Sequence, residues 1–172
     1  MHHQTAKSLI EKGLDQKEGM WADIGAGTGV FTEVLRDLLD EGSVYAVDKS
    51  PHALWRLPQM EQPKLVIEDA NFTRPMNLPM FDGIIMANAL HYTNEPIEIL
   101  QNILKHLKKR GRFILVEYEL SKPQPPWIPF PITFEAFCKI SSKVGLSFPK
   151  KIKEVPSQYG AQNIYSVWCE KL

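Results

Sequence analysis

The chain has 172 residues, of which 44% are hydrophobic and 23% charged, with 20 Lys+Arg against 20 Asp+Glu. This length and balance fit a single globular domain over 1–172 that needs no metal or disulfide staple, and they exclude disordered and fibrous classes. The longest apolar runs, 83–90 and 113–116, are far shorter than the ~20 residues of a membrane span, and the polar start 1–7 has no signal-peptide core, so a cytoplasmic protein with no membrane partner is expected.

Short apolar runs alternate with amphipathic stretches, the pattern of βαβ units and a parallel sheet. Residues 5–17 place Ala6, Leu9, Ile10 and Leu14 at helical spacing and predict a leading helix. Residues 20–24 read as a first strand, followed by a helix over 30–39 with Phe31, Val34, Leu35, Leu38 and Leu39 on one face. Residues 43–47 read as a second strand, after which Ser50 would cap a short helix with Pro51 at its first position. Third and fourth strands are read at 64–67 and 82–87.

The periodicity over 96–107 predicts a helix ending in Lys108, Lys109, Arg110 and Gly111, where cations suit the helix dipole. A fifth strand follows at 112–117. Five of the 13 prolines fall between Pro123 and Pro131, which makes 121–131 a loop. Thr133 would cap a last helix through Val144, and 151–155 with 163–169 form a hairpin. Cys138 and Cys169 stand far apart with no Cys-x-x-Cys and no clustered histidines, so no disulfide and no metal site is expected.

Between the first strand and its helix, residues 23–29 read Asp-Ile-Gly-Ala-Gly-Thr-Gly. Ligands of open parallel sheets sit outside the carboxyl ends of the strands at such a turn. Glycine lets the backbone turn tightly and approach a ligand, and the unsatisfied amides opening the helix present partial positive charge. Asp48, ending the second strand, can accept hydrogen bonds from two ribose hydroxyls, so a nucleoside ligand suits both features. The dinucleotide fingerprint G-x-G-x-x-G requires glycine where Val30 stands, and no Gly-Lys-Ser/Thr follows for a phosphate loop; an NAD-dependent oxidoreductase is therefore disfavoured.

These residues resemble the class I S-adenosylmethionine-dependent methyltransferases, most closely the small bacterial type 11 branch, over nearly the whole chain. Asp23 to Gly29 is similar to that family's first motif and Tyr45-Ala46-Val47-Asp48 with Ser50 to its second. Glu68-Asp69-Ala70 is similar to the third, and Phe81-Asp82-Gly83-Ile84-Ile85 with Asn88-Ala89-Leu90-His91 to the fourth. The resemblance implies an α/β, doubly wound, Rossmann-like fold with a mostly parallel seven-stranded sheet of order 3-2-1-4-5-7-6, strand 7 antiparallel. It implies a methyltransferase with S-adenosylmethionine as cofactor. Gly25, Ala26, Gly27, Thr28 and Gly29 would surround the methionine part, supported by Asp23. Asp48 would bind the ribose, with Lys49 in the same site. Asp69 would face the adenine amino group, Ala70 and Phe72 would pack near its ring, and Asn88 would lie beside the methionine amine.

Methyl transfer is an in-line displacement at a sulfonium, so the cofactor supplies the reactivity and the protein aligns the partners. His91, just after the fourth strand, is the first candidate for a catalytic base; the alternative is that it only packs beside the cofactor. Glu117, Tyr118 and Glu119 end the fifth strand on the same rim, where alternation lets only one or two face an acceptor. The proline loop should arch over the opening, so Tyr118, Trp127 and Phe130, with Gln158 and Tyr159 of the hairpin, are expected to wall the acceptor pocket; otherwise the aromatics seal the sheet edge.

A small-molecule acceptor, methylated on O, N or C, is the favoured function. Charge motivates a second one, because residues 1–100 carry 8 Lys+Arg against 15 Asp+Glu while residues 101–172 carry 12 against 5. RNA or protein methylation is that alternative, although no Asn/Asp-Pro-Pro-Tyr follows the fourth strand. A cofactor-binding partner or sensor subunit without transferase activity is the third reading. No feature of the sequence assigns an oligomeric state.

Overall fold

The strands that the apolar runs foretell lie side by side in one sheet of order β3-β2-β1-β4-β5-β7-β6. They are β1 (Met20–Ile24), β2 (Ser43–Asp48), β3 (Lys64–Asp69), β4 (Phe81–Ala87), β5 (Leu107–Glu119), β6 (Lys150–Pro156) and β7 (Asn163–Glu170). The computed structural model describes residues 1–172 apart from Tyr159 and Ala161. β1 to β5 pair in parallel, and β7 runs antiparallel to β5 and β6. The strand order reverses between β1 and β4, which puts the turn after β1 at the switch point where such sheets bind ligands.

Both faces of the sheet are covered, as the near-continuous burial of β1 and β4 requires. On one face α1 (His3–Ile10) and α2 (Val30–Leu38) bring Leu9, Ile10, Val34 and Leu35 onto Trp21, Ile85 and Ile114. On the other, α3 (Pro96–Leu104) and α4 (Phe134–Lys143) bring Leu100, Ile103 and Phe137 onto Ile24, Ile84 and Phe113. Each such side chain contributes ~1.5–3 kcal/mol by leaving water. None of the described helices is long and apolar enough to cross a membrane.

Three local expectations change. The leading helix stops at Ile10 and passes through a 3-10 turn, Glu11–Gly13, where a Cβ on Gly13 would stand 2.8 Å from Ile114 and Ile152. The helix read over 96–107 stops at Leu104, because the carbonyl of His106 accepts from Phe81 N (2.7 Å) and Leu107 already pairs with Phe81 in the sheet. The basic run 108–110 then bulges out of β5, and the cation at the helix end is instead Lys171, whose Nζ donates to the carbonyls of Leu104 and Leu107 at 2.6 Å. Ser50 makes no side-chain cap; its N–H donates to Asp48 Oδ1 (2.8 Å). Thr133 does cap α4, accepting from Ala136 N at 3.2 Å.

Candidate active site

The glycine turn is tied to the neighbouring strand before any ligand is considered. The N–H groups of Gly25 and Ala26 both donate to the carbonyl of Val47, at 2.8 and 3.1 Å, and Gly27 N donates to Asp48 Oδ2 at 2.8 Å. Asp48 therefore accepts from Gly27 on one oxygen and from Ser50 on the other, which fixes its carboxylate at the lip of the turn. Gly25 (φ 77°) and Gly27 (φ 56°) are left-handed, a conformation costly for residues with a Cβ. A Cβ on Gly25 would also stand 2.7 Å from that of Ala89.

Beneath the turn lies a cavity of about 530 Å³. Gly25, Ala26, Gly27, Thr28, Asp48, Lys49 and Asn88 line it, together with Asn71, Phe72, Thr73 and Tyr92. Asn88 follows β4 with φ 50°, its N–H donating to Val116 O at 2.8 Å, and its Oδ1 is buried with no hydrogen-bond partner among the described residues. An orphaned acceptor of this kind costs about 1–3 kcal/mol unless a ligand or water satisfies it.

A second cavity, of about 580 Å³, is lined by Asn88, His91, Tyr92, Tyr118, Gln124, Trp127, Ile128 and Gln162. Asn88 and Tyr92 line both, so the two spaces are neighbours on either side of these residues. His91 is 1% exposed, and its Nδ1 lies 2.7 Å from Oε2 of the fully buried Glu117. The other oxygen of Glu117 accepts from the N–H groups of Leu90 (3.0 Å) and His91 (3.2 Å). A carboxylate can only accept, so Nδ1 carries the proton toward Glu117, and in the neutral imidazole Nε2 is then the acceptor.

The remaining expected residues divide. Asp23 lines neither cavity: it is buried at the end of β1, accepts from Thr32 Oγ1 of α2 at 2.7 Å, and burial pushes its carboxyl up to about 7. Gly29 also stands back from the cavity, as the left-handed residue (φ 86°) opening α2 where a Cβ would strike Leu57 and Leu54. Asp69 and Ala70 line an adjoining depression that shares Lys49 and Asn71 with the first cavity. Tyr118 and Trp127 line the second cavity, whereas Phe130 does not; its backbone N–H donates to His91 O at 3.0 Å. Gln158 does not line it either. Tyr159 lies outside the described residues. Glu119 turns away to accept from Phe134 N at the start of α4, 3.0 Å.

Several contributors escape the sequence reading, among them Asn71, Thr73 and Tyr92 as cavity walls. Thr32 as partner of Asp23 and Gln124 as a wall of the second cavity carry no signal of their own in the sequence. Glu117 as holder of His91 did carry one: it shares the inward alternation of Phe113 and Leu115, which marks it as a buried carboxylate. No group of three or more metal-ligating side chains occurs among the described residues.

A family model described as a methyltransferase domain matches residues 22–113, more than half of the chain. An uncharacterized methyltransferase of Alkaliphilus oremlandii is 25% identical over 119 residues; the chain spans about half of that curated relative's length (53%), with 67% of the chain aligned. Among solved structures, the 1,6-didemethyltoxoflavin-N1-methyltransferase of Burkholderia thailandensis, with bound 1,6-didemethyltoxoflavin and S-adenosylhomocysteine, superimposes with a TM-score of 0.80 at 18% identity, covering 98% of this chain and 77% of that one. A SAM-dependent methyltransferase from Aquifex aeolicus gives 0.74 at 15% identity with both chains fully covered. With its glycine turn, sheet order and matched segment in agreement, the chain belongs to the methyltransferase domain family.

Proposed function

We propose that the chain is an S-adenosylmethionine-dependent methyltransferase whose cofactor occupies the cavity under the glycine turn and whose acceptor, a small molecule, occupies the second cavity. The observation that carries this reading is that the two cavities share Asn88 and Tyr92 as walls, which sets a cofactor site and an acceptor site side by side. The residues fit the cofactor. Gly27 has open space above it, a Cβ there meeting only the Gly25 carbonyl at 4.0 Å, and the orphaned Oδ1 of Asn88 suits an ammonium donor. Asp48, already fixed by two backbone N–H groups, can accept from ribose hydroxyls, while Lys49 and Asn71 lead into the depression of Asp69 and Ala70 where a base could lie. When bound, the cofactor supplies an electrophilic methyl group that leaves a neutral thioether behind.

His91 acts as the base of this site. The acceptor's X–H proton passes to Nε2, and the imidazolium that forms is held by the Glu117 carboxylate at 2.7 Å. The walls position the acceptor's nucleophile, which is where alignment gains most. Asp23 positions the turn indirectly, joining the end of β1 to α2 through Thr32.

A macromolecular acceptor is less well supported. Lys108, Arg112, Lys139 and Lys151 are paired with Asp82, Asp15, Glu135 and Glu154 respectively, and none of them lines either cavity. Lys108 and Arg112 sit where β5 begins, at the end of the sheet remote from the strand termini that carry the site. The test is transfer of a labelled methyl group from S-adenosylmethionine to a cell extract by the purified chain. Label in low-molecular-weight material supports the reading; label confined to RNA or protein, or no transfer to anything, contradicts it.

A further inference from the structure

We infer that the second cavity selects an uncharged, planar aromatic acceptor bearing a weakly acidic hydroxyl, a refinement that rests on the methyltransferase reading above. Three kinds of observation converge on it. First, part of the wall is a cluster of rings: that of His91 lies 4.4 Å from that of Tyr92 and 5.8 Å from that of Tyr118, centroid to centroid. Trp127, on the proline loop, completes the lining although 74% of its surface is exposed. An indole this exposed offers a flat apolar face on which an aromatic ring can stack.

Second, charge is missing where a charged acceptor would need it. No Lys, Arg, Asp or Glu lines this cavity among the described residues, so a carboxylate or phosphate would be desolvated without a cation and an ammonium without an anion. Glu117 does not line the cavity; its oxygens face His91 Nδ1 and two backbone N–H groups, so an ammonium there has no carboxylate to contact. The Gln124 side chain in the lining can serve neutral donors and acceptors.

Third, the base is a single imidazole with its Nδ1 held by Glu117. Phenols ionise near pH ~10 and water only near ~15.7, so an aromatic hydroxyl is within easier reach of such a base than an alcohol. The methyl acceptor is then the oxygen on the Asn88 side of the cavity, Asn88 being a wall it shares with the cofactor cavity.

The test uses the full chain, with and without saturating S-adenosylhomocysteine, and three probes of one skeleton: 2-naphthol, 2-naphthoate and decahydro-2-naphthol, each titrated by calorimetry. Binding of 2-naphthol at least tenfold tighter than either other probe is the expected result. Trp127→Ala should weaken 2-naphthol at least fivefold and leave S-adenosylhomocysteine within twofold. Equal or tighter binding of 2-naphthoate overturns the charge argument, equal binding of the saturated alcohol overturns the aromatic argument, and absence of 2-naphthol binding overturns both. The two levels separate cleanly. S-adenosylhomocysteine binding without the naphthol preference refutes only the acceptor class, whereas the preference without S-adenosylhomocysteine binding upholds the cavity's selectivity and refutes the cofactor reading.

Discussion

Asp23→Asn is expected to stabilise the protein at neutral pH, and by an amount that depends on pH. Asp23 is 1% exposed at the end of β1. Burial pushes its carboxyl up from the ordinary 3.8 to about 7; the Thr32 hydroxyl pulls it down and the Asp48 charge pushes it up further. In the unfolded chain the group ionises near 3.8, so between about pH 4 and pH 7 the folded chain holds a proton that the unfolded chain releases. The stability linked to that proton is fully present below about pH 4 and is lost as pH rises through about 7. The loss runs at ~1.4 kcal/mol per pH unit, roughly 4 kcal/mol in all. Asparagine keeps an oxygen for the Thr32 hydroxyl and has no proton to lose. Urea denaturation of both proteins at pH 5, 6, 7 and 8 reads the effect: the advantage of the variant should grow by ~1.4 kcal/mol per unit up to about pH 7 and then level. A difference that stays constant across this range refutes burial as the source of the shift.

Two further substitutions probe the site from other directions. Gly25→Ala should destabilise the chain by ~1–3 kcal/mol, because it combines φ 77° with a Cβ 2.7 Å from Ala89, and thermal melting should show a drop of several degrees. Glu117→Gln preserves shape, but its amide would donate to His91 Nδ1 and drive the ring proton onto Nε2; methyl-transfer kcat should fall roughly 10²- to 10⁴-fold with S-adenosylhomocysteine affinity unchanged. An unaltered rate would remove His91 from proton transfer.

Most of the sheet was legible in the sequence because seven apolar runs carried it; the turn and Asp48 could be singled out because strand ends at a switch point bind ligands, whereas Asn88 came only from the resemblance to the family's fourth motif. What escaped depends on partners distant in the chain. The helix over 96–107 loses its last turn to pairing between Leu107 and Phe81, and its end is capped by Lys171, 67 residues from Leu104. Phe130 was expected to wall the acceptor pocket, yet it does not line the second cavity. Asp23 sits in the first motif like a ligand-binding residue, but its bond to Thr32 makes it a joint between β1 and α2. Glu117 was visible in principle, since two-residue alternation places it inward, but only the folded chain shows that the inward carboxylate meets His91 26 residues away.

Calorimetric titration of S-adenosylhomocysteine into the wild-type chain and into Asp48→Ala tests the cofactor cavity most directly. The variant removes the carboxylate that accepts from Gly27 N and Ser50 N at 2.8 Å each and that would receive the ribose hydroxyls. Hydrogen bonds to a charged group contribute ~1.5–3 kcal/mol each, so the expected result is one saturable site in the wild-type chain and binding more than tenfold weaker in the variant. Equal affinity in the two proteins, or no saturable binding by folded wild-type chain, would contradict it.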